Sequence, residues 1–158
     1  MSSTTRVPMR VLFCLLMIPA VFAQESFTHE PSGLTFTLPA GWTYSHEGDH
    51  FEAASSDESI VLLFFVGKSY EVEAAINGAV DELSKIIRNV NVTTDVTEVE
   101  VNGLNHAFIE GDGLMEGEVI DWDLTVVQGS RKCMAIVALG DIDSYQGIVD
   151  KIYDSIRE

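Results

Sequence analysis

Seven consecutive apolar residues form the segment Ile60-Val61-Leu62-Leu63-Phe64-Phe65-Val66. A strand with one face in water alternates apolar and polar residues, whereas a strand covered on both faces does not. Residues 134–139 have the same continuous apolar character. The sequence therefore predicts two central strands in a sheet that is covered on both faces. An aspartate should then be severely destabilising both at Phe64 and at Phe65, because each would bury an unpaired charge.

Two amphipathic helices are predicted to cover this sheet. Apolar residues at three- and four-residue steps predict a long helix over residues 71–89, with Lys85 and Arg88 near its negative end. A second apolar stripe predicts a helix that closes the chain, capped by Asp143 with Gln146 three residues later. The two stripes comprise Val72, Ile76, Ala79, Val80, Leu83, Ile86, Ile87 and Val90, and then Tyr145, Ile148, Val149, Ile152 and Ile156.

The sequence predicts that the other strands pair as hairpins. Residues 34–38 and 96–101 alternate apolar and polar side chains, and Asn102-Gly103 is a strong type I′ turn signal. Gly111-Asp112-Gly113 predicts a second turn, followed by a strand over residues 119–128. The fold class is therefore predicted to be α+β, with a mainly antiparallel sheet between a long central helix and a C-terminal helix.

One short segment resembles a known family. Gly33-Leu34-Thr35-Phe36-Thr37-Leu38-Pro39-Ala40-Gly41-Trp42 resembles the opening of PsbP-like domains and of bacterial DcrB-like exported proteins. These domains continue with a long helix, an antiparallel meander and a C-terminal helix, in the order predicted here. The resemblance implies a PsbP-like fold and a non-enzymatic accessory or binding role outside the cytoplasm. It carries over no catalytic residues.

The N-terminus has the layout of a secretory signal peptide. Arg6 and Arg10 precede the apolar residues 11–18, and small residues lead up to Ala23. We expect cleavage after Ala23, which leaves a single domain over residues 24–158. The apolar run is shorter than the roughly 20 residues that span a bilayer, so no membrane insertion is expected after cleavage. The predicted location is secreted or periplasmic.

The composition limits the possible partners. The chain has 25 Asp and Glu against 9 Lys and Arg, which gives a formal net charge of −16. Such a charge repels phosphate backbones, so nucleic-acid binding is not expected. Cys133 is the one cysteine of residues 24–158, and its apolar neighbours indicate an inert core thiol. We expect a monomer that folds without metal or disulfide.

Four carboxylates are the candidate metal ligands. If the chain turns at Gly113-Leu114-Met115, Asp112 lies opposite Glu116, and Glu110 lies opposite Glu118. Like charges opposed across a hairpin are destabilising. Either the hairpin tip is solvated, or a hard cation such as Ca²⁺ relieves the repulsion.

Other candidate sites are weaker. His46 and His50 flank a turn, where loop histidines are common and no further ligand type stands nearby. Asp121 and Asp123 flank Trp122 and are interpreted as a solvated strand face, since a paired-carboxylate active site needs a cleft and a raised pKa. No nucleophile elbow or phosphate loop is present in the sequence. No catalytic residue, cofactor or enzymatic activity is predicted.

The favoured hypothesis is therefore an exported, non-enzymatic accessory or protein-binding domain of the cell envelope. Its partner would be another envelope or secreted protein, whose identity the sequence does not reveal. The alternative is a small-molecule or divalent-cation binding protein that uses the acidic hairpin or a groove between sheet and helix.

Overall fold

A computed structural model describes residues 23–158 of the chain. Residues 1–22, which contain nearly all of the predicted signal peptide, lie outside the described part. The described residues form two helices and ten strands. In chain order these are β1 Glu25–His29, β2 Leu34–Leu38, β3 Thr43–Glu47, β4 His50–Ala54, β5 Ile60–Val66, α1 Val72–Leu83, β6 Arg88–Val92, β7 Thr97–Val101, β8 Leu104–Met115, β9 Glu118–Gln128, β10 Cys133–Gly140 and α2 Ile142–Asp154.

The main sheet has eight strands, all paired antiparallel. Its order is β3-β4-β5-β10-β9-β8-β6, and β7 also pairs with β8. β1 and β2 form a separate two-stranded hairpin. Within residues 23–158, neither helix is long and apolar enough to cross a membrane.

The central strand β5 contributes to two hydrophobic cores. Ile60, Leu62 and Phe64 pack in one core with residues of α2 and β2. Val61 and Leu63 pack in the other core with residues of α1. Because successive side chains of a strand point to opposite faces, the two helices cover opposite faces of the sheet. This confirms the α+β class and the sheet between the two helices.

The first helix, α1, is shorter than the helix that the apolar pattern predicts over residues 71–89. α1 ends at Leu83, and the amides of Ile86 and Ile87 both donate to the Leu83 carbonyl in a tight final turn. Residues 88–92 form β6 instead, on the edge of β8. Ile87 is buried although it lies outside the helix. The apolar spacing therefore continues past the helix end, because residues after it also contribute to the core.

The start of the second helix also differs from the prediction. Its N-cap is Asp141, whose carboxylate accepts a hydrogen bond from the Ser144 amide at 3.3 Å. Asp143 lies inside the first turn, where its charge still suits the positive helix end. Both aspartates are residues that N-cap positions prefer. The end of the preceding strand β10 at Gly140 decides which of them is the cap.

The two predicted turns have different outcomes. Asn102 and Gly103 have φ of 53° and 76°, which confirms a type I′ turn. The predicted turn at Gly111-Asp112-Gly113 is wrong, because β8 runs through it to Met115. The chain turns at Glu116 and Gly117, where φ is 52° and 88°. Gly111 and Gly113 are strand residues in close contact with neighbouring side chains and backbone.

Cys133 is expected to tolerate replacement by serine. The residue is fully buried, and its thiol lies 3.4 Å from the Tyr70 carbonyl oxygen, to which a serine hydroxyl can also donate. Cys133→Ser should lower the free energy of unfolding by no more than about 1.5 kcal/mol. Urea denaturation measures this cost, with Cys133→Val as a control that lacks a donor. Loss of folding in the serine variant would contradict an inert space-filling thiol.

Candidate functional site

The structure separates the four candidate metal ligands. Glu110 lies opposite Asp123 and Asp112 opposite Asp121, whereas Glu118 lies opposite Met115. The predicted register is wrong because the turn comes later in the chain, and only Glu116 and Glu118 are at the hairpin tip. Within residues 23–158, no group of three or more His, Cys, Asp and Glu side chains is placed to hold a metal ion.

The two candidate histidines lie on one hairpin without facing each other. His46 is opposite Phe51, and His50 is opposite Glu47. The His46 ring packs 5.8 Å from the Phe51 ring, measured between centroids. This placement makes His46 a neighbour of the aromatic core.

An acidic groove is formed where α2 begins beside β8 and β9. It has a volume of about 290 Å³. Its charged side chains come from three parts of the chain: Glu110 on β8, Asp121 and Asp123 on β9, and Asp141 and Asp143 at the start of α2. These carboxylates lie in separate segments of the sequence, and only the docking of α2 places them together.

Asp123 differs from the exposed carboxylates around it. The sequence predicts a solvated strand face here, but Asp123 is partly buried. Burial raises the pKa of Asp123 to about 6, and the charges of Glu110 and Asp121 contribute to the increase. The solvated interpretation is therefore wrong for Asp123, which carries its charge at a cost in stability at neutral pH.

Replacing Asp123 with asparagine is expected to stabilise the protein at neutral pH. The folded-state pKa lies above the ordinary value of 3.8, so the unfolded chain loses this proton first as the pH rises. The penalty is absent below about pH 4 and complete above about pH 6. After allowance for solvent screening, Asp123→Asn should add about 1–2 kcal/mol at pH 7.5 and almost nothing at pH 4.

Melting temperatures across this pH range check the prediction. The control is Asp121→Asn, which removes an exposed carboxylate from the same strand face and should have a smaller effect. An equal gain from Asp123→Asn at pH 4 and pH 7.5 would show that the charge of Asp123 is not the cause.

The hairpin tip is expected to be solvated and free of a bound ion. Replacing Glu116 and Glu118 with glutamine should leave the melting temperature unchanged or slightly higher, because neighbouring like charges are removed. Any gain should shrink in about 1 M salt, where exposed charges are screened. Melting curves with and without a chelator test this. A chelator-dependent loss of stability that occurs in the native sequence and vanishes in the double variant would instead indicate a cation site.

A second surface feature lies at the opposite side of β8 from β9. All ten residues 91–100, which we call the edge segment, are exposed. They run from the end of β6 through β7, and among the described strands both pair only with β8. Three valines in this segment keep about half of their surface in water: Val92 at 46%, Val96 at 50% and Val99 at 45%.

Hydrogen bonds hold the edge segment in place within the loop between β6 and β7 and just beyond β7. The Thr93 amide donates to the Glu110 carbonyl at 2.8 Å, and the Glu110 amide donates to the Thr94 hydroxyl at 2.9 Å. Beyond β7, the Asn102 side chain donates to the carbonyls of Asp154 and Ile156, at 2.8 and 2.9 Å. The exposed valines are therefore presented by an ordered sheet edge.

The uncharged side chains of β7 lie on one face of the sheet, and its two glutamates lie on the other. Thr97, Val99 and Val101 lie opposite Phe108, His106 and Leu104, on the face that α2 covers elsewhere. Glu98 and Glu100 point to the other face, and the Asn105 amide donates to Glu98 at 2.8 Å. The sequence shows this alternation, but nothing in it places the strand at an edge of the sheet.

A smaller cavity of about 200 Å³ lies between α1 and the end of β5. It is lined by Phe65, Ala79 and Glu82, among others, and Lys68 lies 3.9 Å from the Glu82 carboxylate. This opening leaves Phe65 only half-buried. The predicted equal cover of Phe64 and Phe65 is therefore wrong for Phe65.

Comparison with solved structures identifies the fold. Cyanobacterial PsbP (CyanoP) from Synechocystis sp. PCC 6803 matches with a TM-score of 0.62 and 12% identity, over 92% of this chain and 98% of that chain. LpqN, described as involved in cell envelope biogenesis of Mycobacterium tuberculosis, matches with a TM-score of 0.53 and 11% identity, over 85% of this chain and 89% of LpqN.

A protein from Bacteroides thetaiotaomicron VPI-5482 matches with a TM-score of 0.54 and 12% identity, over 87% of this chain and 48% of that chain. No protein-family model and no curated protein sequence matches the chain. At these identities the structural matches establish the architecture. The chain therefore has the PsbP-like fold that residues 33–42 predict.

Proposed function

We propose that this protein is an exported, non-enzymatic accessory domain of the cell envelope, secreted or periplasmic, that binds another protein. The observation that carries the proposal is the edge segment, an ordered sheet edge that pairs only with β8 among the described strands and that carries three exposed valines. The protein acts as a monomer and presents this edge to its partner.

A protein surface that binds no partner rarely has as many exposed apolar side chains as the edge segment has. Single exposed apolar residues are common on proteins, but here three lie within eight residues, at the end of β6, in the loop after it and in β7. Free strand edges are sites for pairing with another chain unless charge or a bulge protects them. Here the backbone is accessible, and the protection consists of acidic side chains that an oppositely charged partner would neutralise.

The comparisons agree with an accessory role. LpqN is described as involved in cell envelope biogenesis, and its fold is similar to that of this chain. The signal-peptide layout of residues 1–23 supports export, and the sequence contains no nucleophile elbow or phosphate loop. A binding domain requires none of these catalytic parts.

Site-specific cross-linking tests the proposal. A photoreactive amino acid at Val99 should cross-link one reproducible envelope protein in the producing cells. The control position is Val119, which is 73% exposed on the β8–β9 hairpin and lies off the edge segment. Equal cross-linking from both positions, or none from Val99, would contradict the edge as the binding surface.

Mass measurement of the exported chain should give a mature protein that starts at Gln24.

The acidic groove favours a second candidate function, the binding of a small cationic molecule or a divalent cation. The summed charge of its carboxylates would attract the cation, because no three of them within residues 23–158 are placed to ligate a metal ion directly. Five carboxylates line this groove, and Asp123 is partly buried in it. A bound cation would remove their repulsion and raise the melting temperature once its concentration exceeds Kd. Titration with Ca²⁺ should then stabilise the native sequence but not Asp121→Asn/Asp123→Asn. No shift at millimolar Ca²⁺ would exclude the divalent-cation version.

A further inference from the structure

The backbone of β7 offers hydrogen bonds on its open side. A two-residue type I′ hairpin joins its closing residues, Val101 and Leu104, by a pair of backbone hydrogen bonds. In an antiparallel ladder such hydrogen-bonded pairs alternate with non-hydrogen-bonded pairs. Val99 and Thr97 are therefore bonded to β8, while Glu98 and Glu100 direct their N–H and C=O groups outward.

The side chains of β7 alternate between acidic and apolar along the strand, so a partner strand with a complementary alternation can pair beside it. Glu98 and Glu100 lie on one face of β7, and the exposed Val99 lies on the other. A strand placed beside β7 would bring its own alternating side chains next to them, because paired residues share a face. The matching strand carries basic residues at alternate positions and apolar residues between them.

Charge also excludes a second copy of the chain from this edge. Two β7 strands pairing with each other would bring glutamates of one copy beside glutamates of the other, and opposed like charges are destabilising. The formal net charge of −16 adds long-range repulsion between copies. The same charges attract a basic partner.

We infer that β7 binds its partner by strand addition, and that the partner segment is an extended strand alternating Lys or Arg with apolar residues. This inference rests on the proposed function, since it names the class of partner for the same edge. The main-chain hydrogen bonds would come from Glu98 and Glu100. Specificity would come from their carboxylates on one face and from Val99 on the other.

The probe is an eight-residue peptide that alternates lysine and valine, with blocked ends, added to the full mature chain. The control peptide has the same composition with all lysines at one end, so it has equal charge but no matching alternation. The alternating peptide should bind about tenfold more tightly than this control. Equal affinity would overturn the inference, because charge alone would then explain binding.

Two variants separate the backbone from the charge. Glu98→Gln and Glu98→Pro remove the same carboxylate, but only proline also removes the outward N–H, and it leaves the bonds to β8 in place. We expect the proline variant to bind the peptide at least about fivefold more weakly than the glutamine variant. Equal affinities of the two folded variants would overturn strand addition.

Hydrogen exchange of the unmodified chain gives a test that does not depend on a variant folding. Peptide binding should slow exchange of the Glu98 and Glu100 amides by about tenfold or more and leave the Val99 amide unchanged. Equal slowing at all three positions, or none, would overturn strand addition. Cross-linking from Val99 without this alternating protection would leave the proposed function standing and refute only this inference.

Discussion

Replacing Gly111 with alanine is expected to cost more than about 3 kcal/mol of folding free energy, which is a large share of the stability of an ordinary domain. An added Cβ would overlap the Asn91 carbonyl oxygen on β6 and the indole ring of Trp122. Neither can move away easily. The oxygen belongs to the backbone, and the fully buried ring donates from Nε1 to the Asp112 carbonyl at 2.9 Å.

Urea denaturation measures this loss, and another glycine provides the control. Gly147 lies in α2 with open space where its Cβ would be, so Gly147→Ala should raise stability by about 0.5–1 kcal/mol. A Gly111→Ala protein as stable as the native chain would show that β6 and Trp122 do not pack against β8 at this point.

Replacing Phe64 with aspartate is expected to prevent folding, at a cost above about 4 kcal/mol. The ring is 1% exposed and stacks on Phe36 with centroids 4.4 Å apart. Phe51 meets it edge-on at 5.1 Å. A carboxylate at this position would lie among aromatic rings that offer it no hydrogen bond.

The matched control is Phe65→Asp on the other face of the same strand. Phe65 is half-buried beside the smaller cavity, so an aspartate there keeps access to water. We expect a loss of about 1–2 kcal/mol and a protein that still folds. Circular dichroism and thermal melting of both variants check the difference. Equal severity at the two positions would mean that the α1 face is closed over Phe65.

Much of the candidate site could not be predicted from the sequence. The acidic residues 110–123 are evident in it, but their register depends on the turn position, and Gly111-Asp112-Gly113 resembles a turn as strongly as Glu116-Gly117 does. β7 shows a clear strand alternation in the sequence, but no signal there indicates that among the described strands it pairs only with β8. The groove needs Asp141 and Asp143, which belong to a different element from Asp123.

The sequence by itself determined those features that depend on a few neighbouring residues. The apolar runs at residues 60–66 and 134–139 determined two central strands that pack on both faces, although Phe65 and Val66 stay half-buried. Asn102-Gly103 determined its turn because both residues tolerate positive φ. The layout of residues 33–42 indicated the PsbP-like fold. Each of these signals is local, so it keeps its meaning without knowledge of the rest of the chain.

Only the tertiary structure decided where α1 ends, how far β8 extends and which carboxylates meet. Residues 88–92 leave the helical pattern because β8 offers them a strand partner, and β8 is long because Gly111 leaves room for Trp122 and the backbone of β6. Docking of α2 then buries Asp123 and raises its pKa. These outcomes depend on contacts between residues far apart in the chain, and such contacts override local propensity.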